Sequence, residues 1–142
     1  MKKSILLVTL FLMAISTSFA QKRYLSQAEI PSEITAYIDD FFPNHQIIKA
    51  KEKKDFLKTE FKIKLNPKAE VEFDENFNPI EIESKTGIPL SVLPAPVQDF
   101  VNTHHKGIGV KEWELKKGGQ KLKLLNGLKL YFDSAGKFRG AK

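Results

Sequence analysis

Cysteine is absent from this chain of 142 residues, tryptophan occurs once and histidine three times. Without cysteine there can be no disulfide, no thiol nucleophile and no lipid attached at a processed N-terminus. The stability of the folded part must therefore come from an ordinary apolar core. No serine stands in a Gly-x-Ser-x-Gly elbow, so nucleophilic catalysis of that kind is excluded. A glycine-rich phosphate loop is missing too, since Gly107 and Gly109 flank a helix end and do not open a helix after a strand. Low-complexity stretches are absent.

Long apolar runs are missing except at the start. In "MKKSILLVTLFLMAISTSFA" two lysines lead into an apolar stretch from Ile5 to Ile15, and small residues follow at Ser18 and Ala20. That run is about half of the ~20 residues a membrane-spanning helix needs, so residues 1–20 read as a secretory signal peptide cleaved after Ala20. The remainder, 21–142, has the size of a single domain. Without Lys2 and Lys3 the 23 basic residues fall to 21 against 17 acidic ones, a net charge of +4. These lysines are spread along the chain and alternate with apolar residues, as on a wetted sheet face. A nucleic-acid partner is not expected from that pattern or from export.

The chain repeats itself. "IPSEITAYIDDFFPNHQI" from Ile30 matches "LPAPVQDFVNTHHKGIGV" from Leu93, with Pro31 on Pro94, Ile34 on Val97, Tyr37 on Phe100 and Ile38 on Val101. Further on, Ile63, Leu65, Val71, Phe73 and Asp74 match Leu122, Leu124, Leu130, Phe132 and Asp133, with about four residues lost near Lys117. Two copies of one unit, about 25–83 and 88–142, fill the domain.

Each copy opens with a helix, because Ile30, Ile34, Tyr37, Ile38 and Phe41 recur on one helical face. Pro31 and Pro94 are expected in a first turn; Pro43 and Gly107 end the helices. The period then changes to two. Pairing Phe61, Ile63 and Leu65 with Phe73, Val71 and Ala69 sets Lys62 opposite Glu72 and Lys64 opposite Glu70, joining opposite charges on the wet face. In the second copy a three-residue loop from Leu125 to Gly127, with Gly127 left-handed, keeps Leu122 opposite Leu130. Asp74 and Asp133 start polar turns that lead to last strands at Ile80–Ile82 and around Phe138. The segment "SKTGIPLSV" from Ser84 is expected to join the copies. The predicted fold is α+β: two tandem helix-plus-four-strand repeats forming one antiparallel sheet of about eight strands, with both helices on one face.

These stretches, "IPSEITAYIDDFFPNHQIIKAKEK", "VEFDENFNPIEIE", "IPLSVLPAPVQDFV" and "LNGLKLYFDSAGKF", resemble the exported PepSY-like proteins of Bacteroidetes, described as beta-lactamase-inhibitor-like. The resemblance covers most of 30–138. It implies a two-repeat α+β fold and a non-enzymatic, protein-binding or inhibitory role in the cell envelope, and it offers no catalytic residues to transfer. Fold alone does not fix function.

His104 and His105 are helix neighbours about a hundred degrees apart, so they cannot face one metal together as an i, i+4 pair would. No metal site and no cofactor are expected, and His104 is expected at a half-buried position equivalent to Phe41. Glu70, Glu72, Glu81 and Glu83 alternate with apolar residues as solvated ion-pair partners do, and no cleft is predicted that would tune an acid–base pair. Trp113, which matches Ala50, is an interface-anchor candidate that competes with a place in the core. The binding candidates are therefore Lys62, Lys64, Lys121, Lys123, Lys129 and Trp113, on a periplasmic or secreted module without enzymatic activity. Its expected partner is an envelope or secreted protein, acidic where it meets Lys123 and Lys129, which lack the opposite charge that Glu70 gives Lys64. No membrane anchor is expected once the signal is removed. The alternative is an envelope protein that binds a small ligand or a metal.

Overall fold

The structure, a computed structural model, describes residues 20–142. The expected signal peptide at 1–20 thus lies outside the described residues except for Ala20. Nine strands form one sheet in chain order, each antiparallel to the next: β1 (Gln21–Leu25), β2 (Gln46–Lys54), β3 (Thr59–Asn66), β4 (Ala69–Phe73), β5 (Pro79–Ile88), β6 (Val110–Lys116), β7 (Gly119–Leu124), β8 (Lys129–Asp133) and β9 (Phe138–Ala141). Helix α1 (Ser32–Phe41) lies between β1 and β2, and α2 (Ala95–His104) between β5 and β6.

Both helices follow the apolar spacing of the sequence. Ile34 and Ile38 of α1 and Val97 and Val101 of α2 are buried. Pro31 and Pro94 occupy the N-cap and not the first turn expected for them. The Pro31 carbonyl accepts the N–H of Ile34 and of Thr35, and the Pro94 carbonyl accepts those of Val97 and Gln98. The last turns close alike: the Phe42 N–H donates to Ile38 and the His105 N–H to Val101, both at 2.8 Å. Tyr37 of α1 packs edge-on against Phe73 at 5.3 Å, and Phe100 of α2 against Phe132 at 5.4 Å. Cross-strand pairing places Phe61, Phe73, Val71, Ile82, Trp113, Leu122 and Leu130 on one sheet face, so both helices cover that same face and one continuous core lies beneath them.

The β3–β4 register is the one that charge pairing dictates: Phe61 opposite Phe73, Lys62 opposite Glu72 and Lys64 opposite Glu70. In the β7–β8 hairpin Gly127 adopts φ 92° and its N–H donates to the Leu124 carbonyl, which leaves Leu122 opposite Leu130 and Lys123 opposite Lys129. The repeated Phe-Asp phrase builds the same turn twice. Asp74 Oδ1 accepts the N–H of Asn76 and Asn78, and Asp133 Oδ1 accepts those of Ala135 and Lys137. Phe77 (φ 63°) and Gly136 (φ 87°) hold equivalent left-handed positions in these turns. Phe77 is a costly residue there, but its ring rests on Phe61 at 5.4 Å.

The expected antiparallel sheet of about eight strands has nine, because β1 precedes the first helix. It is a sheet edge whose residues are exposed except the half-buried Leu25, so the two-residue apolar alternation that reveals other strands is missing. Its counterpart in the second copy is the end of β5. Ser84–Ile88 continues that strand, whereas it was expected to be a connector, and a single 3₁₀ turn follows in each copy, at Gln27–Glu29 and Leu90–Val92. The four residues lost near Lys117 come from the β2–β3 hairpin, which runs to Lys54 and Thr59 around a loop at 55–58, where the second copy turns through Lys117 and Gly118 alone.

Candidate functional site

The sheet face opposite the helices is open, and its side chains form rows across the strands. From β2 to β8 one row reads Lys49, Lys64, Glu70, Glu83, Glu112, Lys123, Lys129, each residue paired with the next. The adjacent row reads Lys51, Lys62, Glu72, Glu81, Glu114, Lys121, Tyr131. The face is thus banded, basic on β2–β3, acidic on β4–β6 and basic again on β7–β8.

Ion pairs stitch the band borders. Lys62 Nζ lies 2.7 Å from Glu70 and 2.6 Å from Glu72, and Lys64 lies 3.5 Å from Glu70. On the other side Lys121 lies 2.7 Å from Glu112 and 2.5 Å from Glu114. Burial pulls the Lys62 pKa down, but the hydrogen bonds it donates to Glu70 and Glu72 outweigh it and hold the ammonium above the ordinary lysine range. The bonds that Lys121 donates to Glu112 and Glu114 raise it likewise. Burial pushes the Glu114 carboxyl up, yet Lys116 and Lys121 bring it below its usual range. Three of the five candidate lysines, Lys62, Lys64 and Lys121, therefore already have carboxylate partners inside the molecule. Among the described residues Lys123 and Lys129 have no carboxylate within ion-pair distance, and Glu81 and Glu83 have no lysine or arginine within it.

Glu81 and Glu83 were expected to be ion-paired; the lysines instead reach Glu70, Glu72, Glu112 and Glu114 on either side of them. Burial, then the charges of Glu72, Glu114 and Glu112, raise the Glu81 carboxyl above its usual range. A carboxyl raised in the fold contributes most below its unfolded pKa, and that contribution is lost as pH rises through the folded value. Glu81→Gln is expected to raise the melting temperature at neutral pH, and the gain to vanish below the ordinary carboxylate range. Solvent screening keeps it to about 1 kcal/mol or less. Paired thermal melts of the two proteins across that pH range check it.

Trp113 is 5% exposed and lies on the helix-covered face, so it is a core residue with no surface to offer a partner. Its indole N–H donates to Gln120 Oε1 at 2.9 Å, and Gln120 Nε2 donates to the Asp133 carbonyl. His104 is exposed, not half-buried, and its ring lies 4.4 Å from that of Phe100; His105, at the equivalent of Phe42, is the half-buried one of the pair. Among the described residues no three His, Asp or Glu side chains are grouped as metal ligands, and no helix is long and apolar enough to cross a membrane.

Sequence reasoning missed an apolar foothold on the same face. A bulge between Ile47 and Lys49 turns Ile48 outward, 64% exposed. Beside it an open hollow of about 270 Å³ is lined by Lys64, Lys68, Glu70, Glu83 and Lys85. The available signal was "QIIKAK", where two adjacent isoleucines break the alternation.

Structures of known proteins share this architecture. A "putative periplasmic protein of unknown function" from Bacteroides vulgatus is 22% identical, with TM-score 0.77 over 86% of this chain and 99% of the other. A second "putative periplasmic protein" from that organism is 20% identical, with TM-score 0.79 over 86% and 97%. A "putative calcium-regulated periplasmic protein" from Bacteroides thetaiotaomicron is 24% identical, with TM-score 0.78 over 85% and 96%. At such identities the likeness shows the fold. No curated protein matches the chain. The family described as "Putative beta-lactamase-inhibitor-like, PepSY-like" matches twice, over residues 16–81 and 59–140. With both copies of the repeat covered, the chain belongs to the PepSY-like family.

Proposed function

We propose that this protein is a non-enzymatic, exported module that binds an envelope or secreted protein on the open face of its sheet, in the manner of an inhibitor that covers its target. The observation that supports this reading is the one-sided sheet: both helices pack on one face and leave the other, with its banded charge, uncovered. An antiparallel sheet can leave one face in water. This one, however, combines fixed charges of both signs with an exposed apolar side chain, Ile48, near the β2 end of the face. The periplasmic descriptions of the structural neighbours and the leader-like start of the sequence support export.

Because Lys62, Lys64 and Lys121 are already bridged, the candidate lysines left for a partner are Lys123 and Lys129, at the other end of the face from Lys49 and Lys51, which lie over the Tyr24 ring. The partner is acidic at Lys123 and Lys129. Crosslinking the tagged protein in cells and identifying the trapped species by mass spectrometry is expected to yield one dominant envelope or secreted protein. Reversing both charges, Lys123→Glu with Lys129→Glu, is expected to cut that capture by tenfold or more, since like charges across an interface cost at least about 1.4 kcal/mol. Capture that survives the reversal unchanged would show that this part of the face is not the contact.

A further inference from the structure

The most exposed large apolar side chains among the described residues are neighbours: Phe56 is 86% and Leu57 85% exposed. They form the tip of the β2–β3 hairpin, within the extra residues that the second copy lacks. The loop is held in shape. Asp55 Oδ1 accepts the N–H of Leu57 at 2.9 Å and of Lys58 at 3.0 Å, and the Asp55 N–H donates to the Lys58 carbonyl. On the β4 side the hairpin extends past its neighbour, because β4 pairs with β3 only from Phe61 onward, beyond the pairs that Lys53 makes with Glu60 and Lys54 with Thr59. Lys22, Lys53 and Lys54 surround its base, all exposed and without a carboxylate partner among the described residues. Lys58 is bridged to Glu60.

We propose that this tip is a membrane contact: Phe56 and Leu57 enter the interface of an anionic phospholipid bilayer while Lys22, Lys53 and Lys54 meet the headgroups. Apolar side chains at the point of a convex element, with unpaired lysines behind them, match a surface that is apolar inside and negative at its boundary. A second argument comes from where the chain enters the sheet. Gln21 pairs with Lys54, next to the tip, and the apolar run Ile5–Ile15 precedes it in sequence. On the export reading, which this proposal shares with the proposed function, the mature chain folds beside the membrane that its leader directs it across. The first described strand thus starts at the tip. The contact uses Lys22 and Lys53 at the β1–β2 end of the open face and leaves Lys123 and Lys129, at the other end, free to hold a protein partner.

Two side chains and three lysines give reversible binding, on the order of 10⁴ M⁻¹. The test is sedimentation of the mature chain, 21–142, which contains every described strand and helix, with two kinds of vesicle: phosphatidylcholine alone, and equal parts of phosphatidylcholine and phosphatidylglycerol. The expected result is binding to the anionic vesicles alone, weakened by salt and reduced on the order of a hundredfold in F56S/L57S, whose melting temperature stays unchanged because both sites are exposed. Lack of binding to the anionic vesicles, or equal binding by F56S/L57S, would overturn the proposal. So would a photocrosslinker at position 56 that captures a protein in cells and no lipid. Neither vesicle result depends on Lys123 and Lys129, so the partner reading stands or falls separately.

Discussion

Phe73→Ala is expected to destabilise the fold by about 3–5 kcal/mol, enough to consume a large part of the ~5–15 kcal/mol that a domain of this size possesses. Phe73 is fully buried at the end of β4, opposite Phe61, with the Tyr37 ring edge-on to it. Removing the ring leaves a cavity under α1 that the sheet cannot close, because β4 is held between β3 and β5. The Tyr37 hydroxyl worsens the outcome. It is buried with no hydrogen-bond partner, and burial pushes its pKa up to about 12. Loss of Phe73 removes a support from a side chain already held at a cost. Phe132→Ala creates the equivalent cavity under α2, where Phe100 also stacks on Phe138 at 4.5 Å and can settle partly into the space. The smaller loss is therefore expected from Phe132→Ala. Urea denaturation of both variants, read by circular dichroism, checks the order; a larger loss at Phe132 would show that α2 carries more of the core than α1.

Much of this architecture was legible because the chain states each element twice. The helix stripe Ile34, Tyr37, Ile38 and its copy Val97, Phe100, Val101 fix which faces are buried. The alternation in "FKIKL" and "VEF", with lysine facing glutamate, fixes the β3–β4 register to the residue. β1 carried no such signal, since an edge strand needs backbone partners more than it needs apolar side chains. The open face was legible in composition but not in its charge balance. Lysines and glutamates separated in sequence meet only once β4, β5 and β6 lie side by side, and three carboxylate strands in succession then leave Glu81 and Glu83 beyond the reach of the lysines that neutralise their neighbours. The exposed tip at Phe56 was hidden for a different reason: two apolar residues in "KKDFLK" look the same whether a turn buries them or displays them.

Where the copies differ, their cores compensate. Trp113 stands where the first copy has Ala50, and Gln120 stands where it has Phe61. Trp113 and Gln120 together are larger than Ala50 and Phe61, and Gly136, which stands where the first copy has Phe77, gives up a ring in return, so the filled volume stays similar. The exchange brings a buried indole N–H that must have an acceptor, and Gln120, itself 5% exposed, supplies it at 2.9 Å while donating to the Asp133 carbonyl. Trp113→Ala is accordingly expected to cost about 3–5 kcal/mol from the cavity, with a further penalty because Gln120 loses its donor in a dry site. The two contributions separate in a double-mutant cycle. Gln120→Leu alone strands the indole N–H and is expected to cost about 1–3 kcal/mol, whereas Trp113→Phe combined with Gln120→Leu removes both polar groups and should cost less than the losses of Trp113→Phe alone and Gln120→Leu alone added together. Strict additivity would mean that the bond contributes nothing and that Gln120 is held by the Asp133 carbonyl alone. A coupling of about 1 kcal/mol or more would establish the Trp113–Gln120 pair as the polar replacement for the Phe61–Phe77 packing of the first copy.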